Sequence, residues 1–111
     1  MTALALDAAD ELLREGIRAR VLHIHTLKPI DEQAILSAAR ETGAIVTVEN
    51  HSVICGLGSE LCEAVCARAP VPVRRIGFPD VFGESGDDEA IYRKLGLTVE
   101  YVVNQARDLV R

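Results

Sequence analysis

Along the first fifteen residues the apolar positions fall at helical intervals, with Leu6, Ala9 and Leu13 on one side and Asp7, Asp10 and Glu11 on the other. That pattern predicts a helix over residues 3–15 with one buried face. Gly16 suits the left-handed position that closes a helix, and Ile17 falls where the accompanying apolar contact is made. The periodicity then changes. ARVLHIHTL (19–27) is a β-rich run with the character of a covered strand, and AIVTV (44–48) and PVPVRRIGF (70–78) read as two more. Pro70 and Pro72 are confined to the entry of the last of these. Between the strands lie two helical patterns. The first, about 32–42, buries Ile35, Ala38 and Ala39, is capped by Asp31 after Pro29, and stops at Gly43. The second carries Leu57, Leu61, Ala64 and Val65 on one face and ends before Pro70. After the turn-forming stretch PDVFGESGDD (79–88), a short helix over 89–95 stops at Gly96. Thr98 then caps a last helix with an apolar stripe of Val99, Val102, Val103, Ala106 and Leu109.

The predicted order is α-β-α-β-α-β-α-α, which implies an α/β fold of three layers, α/β/α, around a mostly parallel sheet. Right-handed crossovers place the strand ends on one edge, where α/β proteins build their sites, so the HTLKP, ENHSVICGLGS and FPDVFGESG loops gather there. The length suits one domain over residues 1–111. Three strands are few for such a domain, and it opens on a helix where a strand is expected.

Charge and composition narrow the partners. The net charge is −5 and the 12 basic residues are scattered, so no basic patch for nucleic acid is present. No apolar run reaches the roughly 20 residues that cross a bilayer. Acidic residues stand where a signal peptide carries basic ones, and a soluble, cytoplasmic protein is expected. The cysteines, Cys55, Cys62 and Cys66, are odd in number and their spacing fits no zinc pattern, so small buried hydrophobes in a reducing compartment are expected.

The candidate chemistry sits in VENHSVICGLGSE (48–60). Glu49, His51 and Ser52 are the residue types of a nucleophilic triad, but near-adjacency in sequence rarely brings such groups together. The plainer reading ends a strand at Glu49 and turns the chain at Asn50 and Ser52. Gly56, Gly58 and Ser59 lead into a helix, where free amides and close approach suit an anion. The dinucleotide pattern G-x-G-x-x-G fails at Leu61, and a tight turn with close helix–sheet packing is the plainer reading here too. The loop is therefore a candidate interface or anion-binding site formed by Glu49, His51, Ser52, Gly56, Gly58 and Ser59. His23 and His25 share one face of a strand and read as satisfied core or interface histidines. Ser85 and Asp88 read as caps of the short helix, with Glu84 or Asp88 as the alternative metal ligands. None of these motifs assigns a catalytic, cofactor-binding or metal-ligating residue.

Taken in order, ALDAADELLREGIRARVLHIHTLKPID, VTVENHSVICGLGSELCE and GFPDVFGESGDDEAIYRKLGLTVEYV resemble the C-terminal domain of the transketolase family over essentially the whole chain. That family includes transketolases, some split into two polypeptides, the deoxyxylulose-phosphate synthases and the β subunits of 2-oxo acid dehydrogenases. The resemblance implies part of an enzyme that moves two-carbon ketol units between sugar phosphates, inactive alone. Its thiamine diphosphate and Mg2+ are implied to sit on separate pyrophosphate- and pyrimidine-binding domains, which would be this chain's partners in a homo-oligomer. The alternative is a free-standing module that binds an anion or a protein at the 50–59 and 79–88 loops. One departure stands out. Family members carry a further apolar strand just before the first helix, between the strands matching 20–26 and 44–49, and here only Met1 and Thr2 precede that helix. The expectation is a truncated piece with exposed strand edges that invite association.

Overall fold

The computed structural model describes residues 1–111. Helix α1 (Thr2–Arg14) ends as the glycine predicts: Gly16 has φ 82°, its N–H donates to the Leu13 carbonyl at 3.0 Å, and the Ile17 N–H donates to that of Leu12 at 2.9 Å. This pair of bonds satisfies two carbonyls that a helix terminus otherwise leaves free. Helix α2 (Glu32–Thr42) starts where Asp31 accepts from the Ala34 N–H at 3.0 Å and stops at Gly43, φ 74°. Strand β1 (Ile45–Ser52), helix α3 (Leu57–Cys66), strand β2 (Val73–Phe78), helix α4 (Asp88–Lys94) and helix α5 (Val99–Leu109) follow. Thr98 caps α5 by accepting from the Tyr101 N–H at 3.2 Å. No side chain caps α4, so Ser85 and Asp88 do not act as expected; Glu84 in that turn instead pairs with Lys94 at 2.7 Å.

β1 and β2 form a two-stranded parallel sheet, in register from Ile45 opposite Val73 to Val48 opposite Ile76. The next matched pair is Ser52 with Phe78, four steps on along β1 but only two along β2. Residues 49–51 therefore bulge out of the ladder. Helices α2 and α3 cover one face through Ile35, Leu36, Ala39, Leu61, Ala64 and Val65. Helices α1 and α5 cover the other, where Ala8, Leu12, Val102 and Val103 pack with Ile76 and Leu97; the buried face of α1 is thus turned by one residue from the expected one, with Ala9 half-buried and Leu6 and Leu13 exposed. The three-layer α/β architecture is thus present. Leu36 is buried in place of Ala38, which is half-buried and faces a cavity beside β1.

That cavity accounts for the main difference from the expected fold. The run at 19–27 forms no strand: residues 18–29 make no backbone–backbone hydrogen bond. Its alternation is real, since Leu22 and Ile24 pack against the α2–α3 cluster. A strand also needs a lateral neighbour, and strand-like composition reports fit to a packed surface more than pairing. Between this segment and β1 lies a slot of about 640 Å³, where the family resemblance places a strand. Arg20 pairs with Glu41 at 2.7 Å, so the segment starts beside the end of α2 and the entry to β1. The histidines follow from the open neighbourhood. His23 and His25 are exposed rather than core residues, and their Nδ1 atoms share hydrogen bonds with the Thr2 and Thr26 hydroxyls at 2.9 and 2.6 Å. Cys55 and Cys66 are exposed and Cys62 half-buried, so the expectation of buried thiols does not hold. No helix is long and apolar enough to cross a membrane.

Candidate functional site

The bulge aims Glu49 under the start of α3. Bulges commonly redirect a side chain at the rim of a sheet. Although Glu49 is only 6% exposed, its Oε2 accepts from the Gly58 N–H at 2.9 Å. A carboxylate at a helix N-terminus meets both a free amide and the positive end of the helix dipole. Its second oxygen, Oε1, is buried with no partner, and so is the hydroxyl of Thr47, two residues earlier on the same face.

The glycines make this approach possible. A Cβ on Gly56 would overlap Glu49 Oε1 and lie 2.7 Å from the Ser52 carbonyl oxygen. One on Gly58 would lie 2.7 Å from the Arg75 stem and 2.9 Å from Thr47 Oγ1. One on Gly77 would lie 2.7 Å from the His51 carbonyl oxygen. Close helix–sheet packing, the plainer of the two readings, is what Gly56 and Gly58 serve. The left-handed residue of the loop is Cys55, φ 58°.

The remaining candidates turn the chain. Ser52 Oγ accepts from the Ile54 N–H at 3.1 Å, and His51 Nδ1–H donates to the Ser52 carbonyl at 2.8 Å. The imidazole thus addresses the backbone of Ser52 and not its hydroxyl, which is not the arrangement of an activated nucleophile. Ser59 Oγ accepts from the Cys55 N–H at 3.0 Å and closes the loop onto α3. Arg75, which the sequence reading passed over, adds a staple by donating to the Val53 carbonyl at 2.9 Å. Its signal was alternation in VRRIGF, which puts Arg75 on the same face as Val73.

The loops after β1 and β2 leave from the same edge, tied by the Val53 N–H donating to the Phe78 carbonyl at 3.0 Å. Three apolar side chains stand exposed on them: Ile54, Val81 and a fully exposed Phe82. A phosphate at the start of α3 would face the Glu49 carboxylate across the amide that it already holds. The residues present therefore do not fit a diphosphate at that place.

Comparison with known proteins bears directly on this architecture. The profile of the family described as transketolase, C-terminal domain, matches residues 1–102. The chain belongs to that family. Among its transketolase relatives is the 6-deoxy-6-sulfo-D-fructose transketolase subunit SqwH of Clostridium sp. (strain MSTE9), 50% identical over 109 residues, which are 98% of this chain and 34% of the relative. The 1-deoxy-D-xylulose-5-phosphate synthase of Heliobacterium modesticaldum is 42% identical over 115 residues, 98% of this chain and 17% of that enzyme. A solved split-gene transketolase, described as an inactive β4 tetramer, superposes with a TM-score of 0.92 at 48% identity, covering 97% of this chain and 35% of that one. The chain thus spans about a third of the split transketolase relatives' length, and less of the synthase.

Proposed function

We propose that this transketolase C-terminal domain is a structural, interface-forming part of a thiamine-diphosphate enzyme that transfers two-carbon ketol units between sugar phosphates. In this reading thiamine diphosphate and Mg2+ are held by pyrophosphate- and pyrimidine-binding domains, and this chain docks on them within a homo-oligomer. The supporting observation is the shared edge of the sheet. It carries Ile54, Val81 and Phe82 exposed together, beside a loop whose polar groups are largely spent on holding its own shape. A fully exposed phenylalanine among small and acidic residues has the character of an interface anchor, since aromatic residues dominate binding hot spots.

The test is calorimetric titration with thiamine diphosphate and Mg2+, first on this chain and then on its mixture with a polypeptide carrying the other two domains. The expected outcome is no binding to the chain alone, with cofactor binding and ketol transfer in the mixture. Phe82→Ala is expected to weaken association by about tenfold or more, the size of a hot-spot truncation. Cofactor binding by the 111-residue chain itself would overturn the reading. Saturable binding of inorganic phosphate at the 50–59 loop, with no association in the mixture, would favour a free-standing module instead.

A further inference from the structure

The exposed Phe82 stands in a band of negative charge. Every residue from 79 to 90 is exposed, and the loop after β2 together with α4 carries five acids, Asp80, Glu84, Asp87, Asp88 and Glu89, against two bases. Both bases are already engaged: Lys94 pairs with Glu84 at 2.7 Å and Arg93 with Glu89 at 2.8 Å. Asp80, Asp87 and Asp88 form no ion pair, and Asp87 precedes α4 without capping it. Arg75, the base that reaches the neighbouring loop, bonds the Val53 carbonyl and the Ser59 hydroxyl and none of these carboxylates. No three of the acids are placed to share one cation, so the charge stays spread along the surface. A second copy of the chain does not complement this face. A two-fold contact would set the same acids against each other, and the 12 basic residues are scattered over the sequence.

We propose that this face docks on a polypeptide whose matching surface is an apolar socket for Phe82 rimmed by arginine or lysine side chains. The unmatched carboxylates of Asp80, Asp87 and Asp88 steer the approach and fix the orientation in which the phenylalanine enters. This pairing rests on the docking role given above and supplies its electrostatic half. The two kinds of residue act on different rates. Rim charges set how fast the partners meet and how strongly salt slows them, whereas a seated aromatic side chain sets how long they stay together.

The experiment follows association of this chain with a polypeptide carrying the other two domains, by stopped-flow fluorescence. Salt is varied from about 0.01 to 0.15 M, over which the screening length falls from about 30 to about 8 Å. Asp80→Asn/Asp87→Asn/Asp88→Asn removes the unmatched band, and Asp7→Asn/Asp10→Asn/Glu63→Gln removes the same charge from exposed positions on α1 and α3. Because Asp87 and Asp88 stand at the start of α4, Asp80→Asn alone is the variant that leaves that helix untouched. The unaltered chain is expected to associate more slowly as salt rises. The band variant is expected to associate about three- to tenfold more slowly at low salt, with a flatter salt dependence. Asp80→Asn is expected to shift in the same direction by less, and the α1 and α3 variant to stay within about twofold of the unaltered chain. Phe82→Ala is expected to keep the salt dependence and to dissociate faster. A band variant that associates as fast as the α1 and α3 variant would overturn the basic rim, while faster dissociation of Phe82→Ala leaves docking in place. Association of the unaltered chain that speeds up with salt would overturn the rim as well. Absence of association at every salt concentration would remove the docking role and this pairing with it.

Discussion

Glu49 illustrates how a residue type misleads until its neighbours are known. In the sequence it stands beside a histidine and a serine, and a catalytic reading is available. In the structure its carboxylate lies under α3 holding the Gly58 amide, while His51 and Ser52 shape the turn. The glycine at 56 is what admits it. Gly56→Ala is expected to destabilise the protein by about 1–3 kcal/mol, the usual cost of forcing atoms into a packed site. Gly83→Ala, where an added Cβ meets nothing within 4 Å, is the control and is expected to be nearly neutral. Urea denaturation of the two variants checks this; equal midpoints would remove the packing role of Gly56.

At the level of elements, most of the fold was legible because its signals are local. Asp31, Gly43, Gly16 and Thr98 act within one turn of themselves, and each sits where its backbone chemistry places it. Thr98→Ala is expected to cost about 1 kcal/mol in a urea melt, the ordinary value of a lost N-cap, and a loss below about 0.3 kcal/mol would mean that packing alone sets the start of α5. The strand over 19–27 was not legible, because pairing depends on a neighbour distant in sequence, and the apolar alternation is the same with or without it. The candidate loop was legible as a place and not as a set of roles. Its bulge arises from the register between β1 and β2, and Arg75 joins it from 16 residues beyond Ser59. No local pattern encodes either.

Over the whole molecule, the clearest electrostatic tie joins the two ends of the chain. Arg107 on α5 donates to both Glu15 oxygens at 2.8 and 2.5 Å, closing the α1–α5 layer. The hydrogen bond from Arg107 holds the Glu15 carboxyl below its ordinary range of about 4.5, with the charge of Arg107 acting in the same direction and desolvation opposing. A carboxylate whose folded value is depressed contributes stability that is present above the unfolded value and is lost as pH falls through the folded one. The stability gap between the protein and Arg107→Gln is therefore expected to narrow as pH drops below about 4.5. Denaturation midpoints from pH 7 to pH 3 check this, and a gap that stays constant over the range would assign the contribution of Arg107 to packing and to its bond with Asn104. Both residues are partly exposed, so salt is expected to weaken the tie.

The bulge in β1 has a further consequence in its parity. Side chains alternate with a period of two along a strand, and β1 gains an even number of residues over β2 between Val48 and Ser52. The strand therefore leaves the irregularity in the same phase in which it entered, and on β2 the same two-step interval keeps Ile76 and Phe78 together in the α1–α5 layer. Beyond Glu49, which is fixed under α3, the exposed turn can lengthen by pairs of residues and keep that phase, whereas a single-residue change reverses it until the chain turns into α3. A protein built this way can vary the outline of its exposed edge while the interior stays the same.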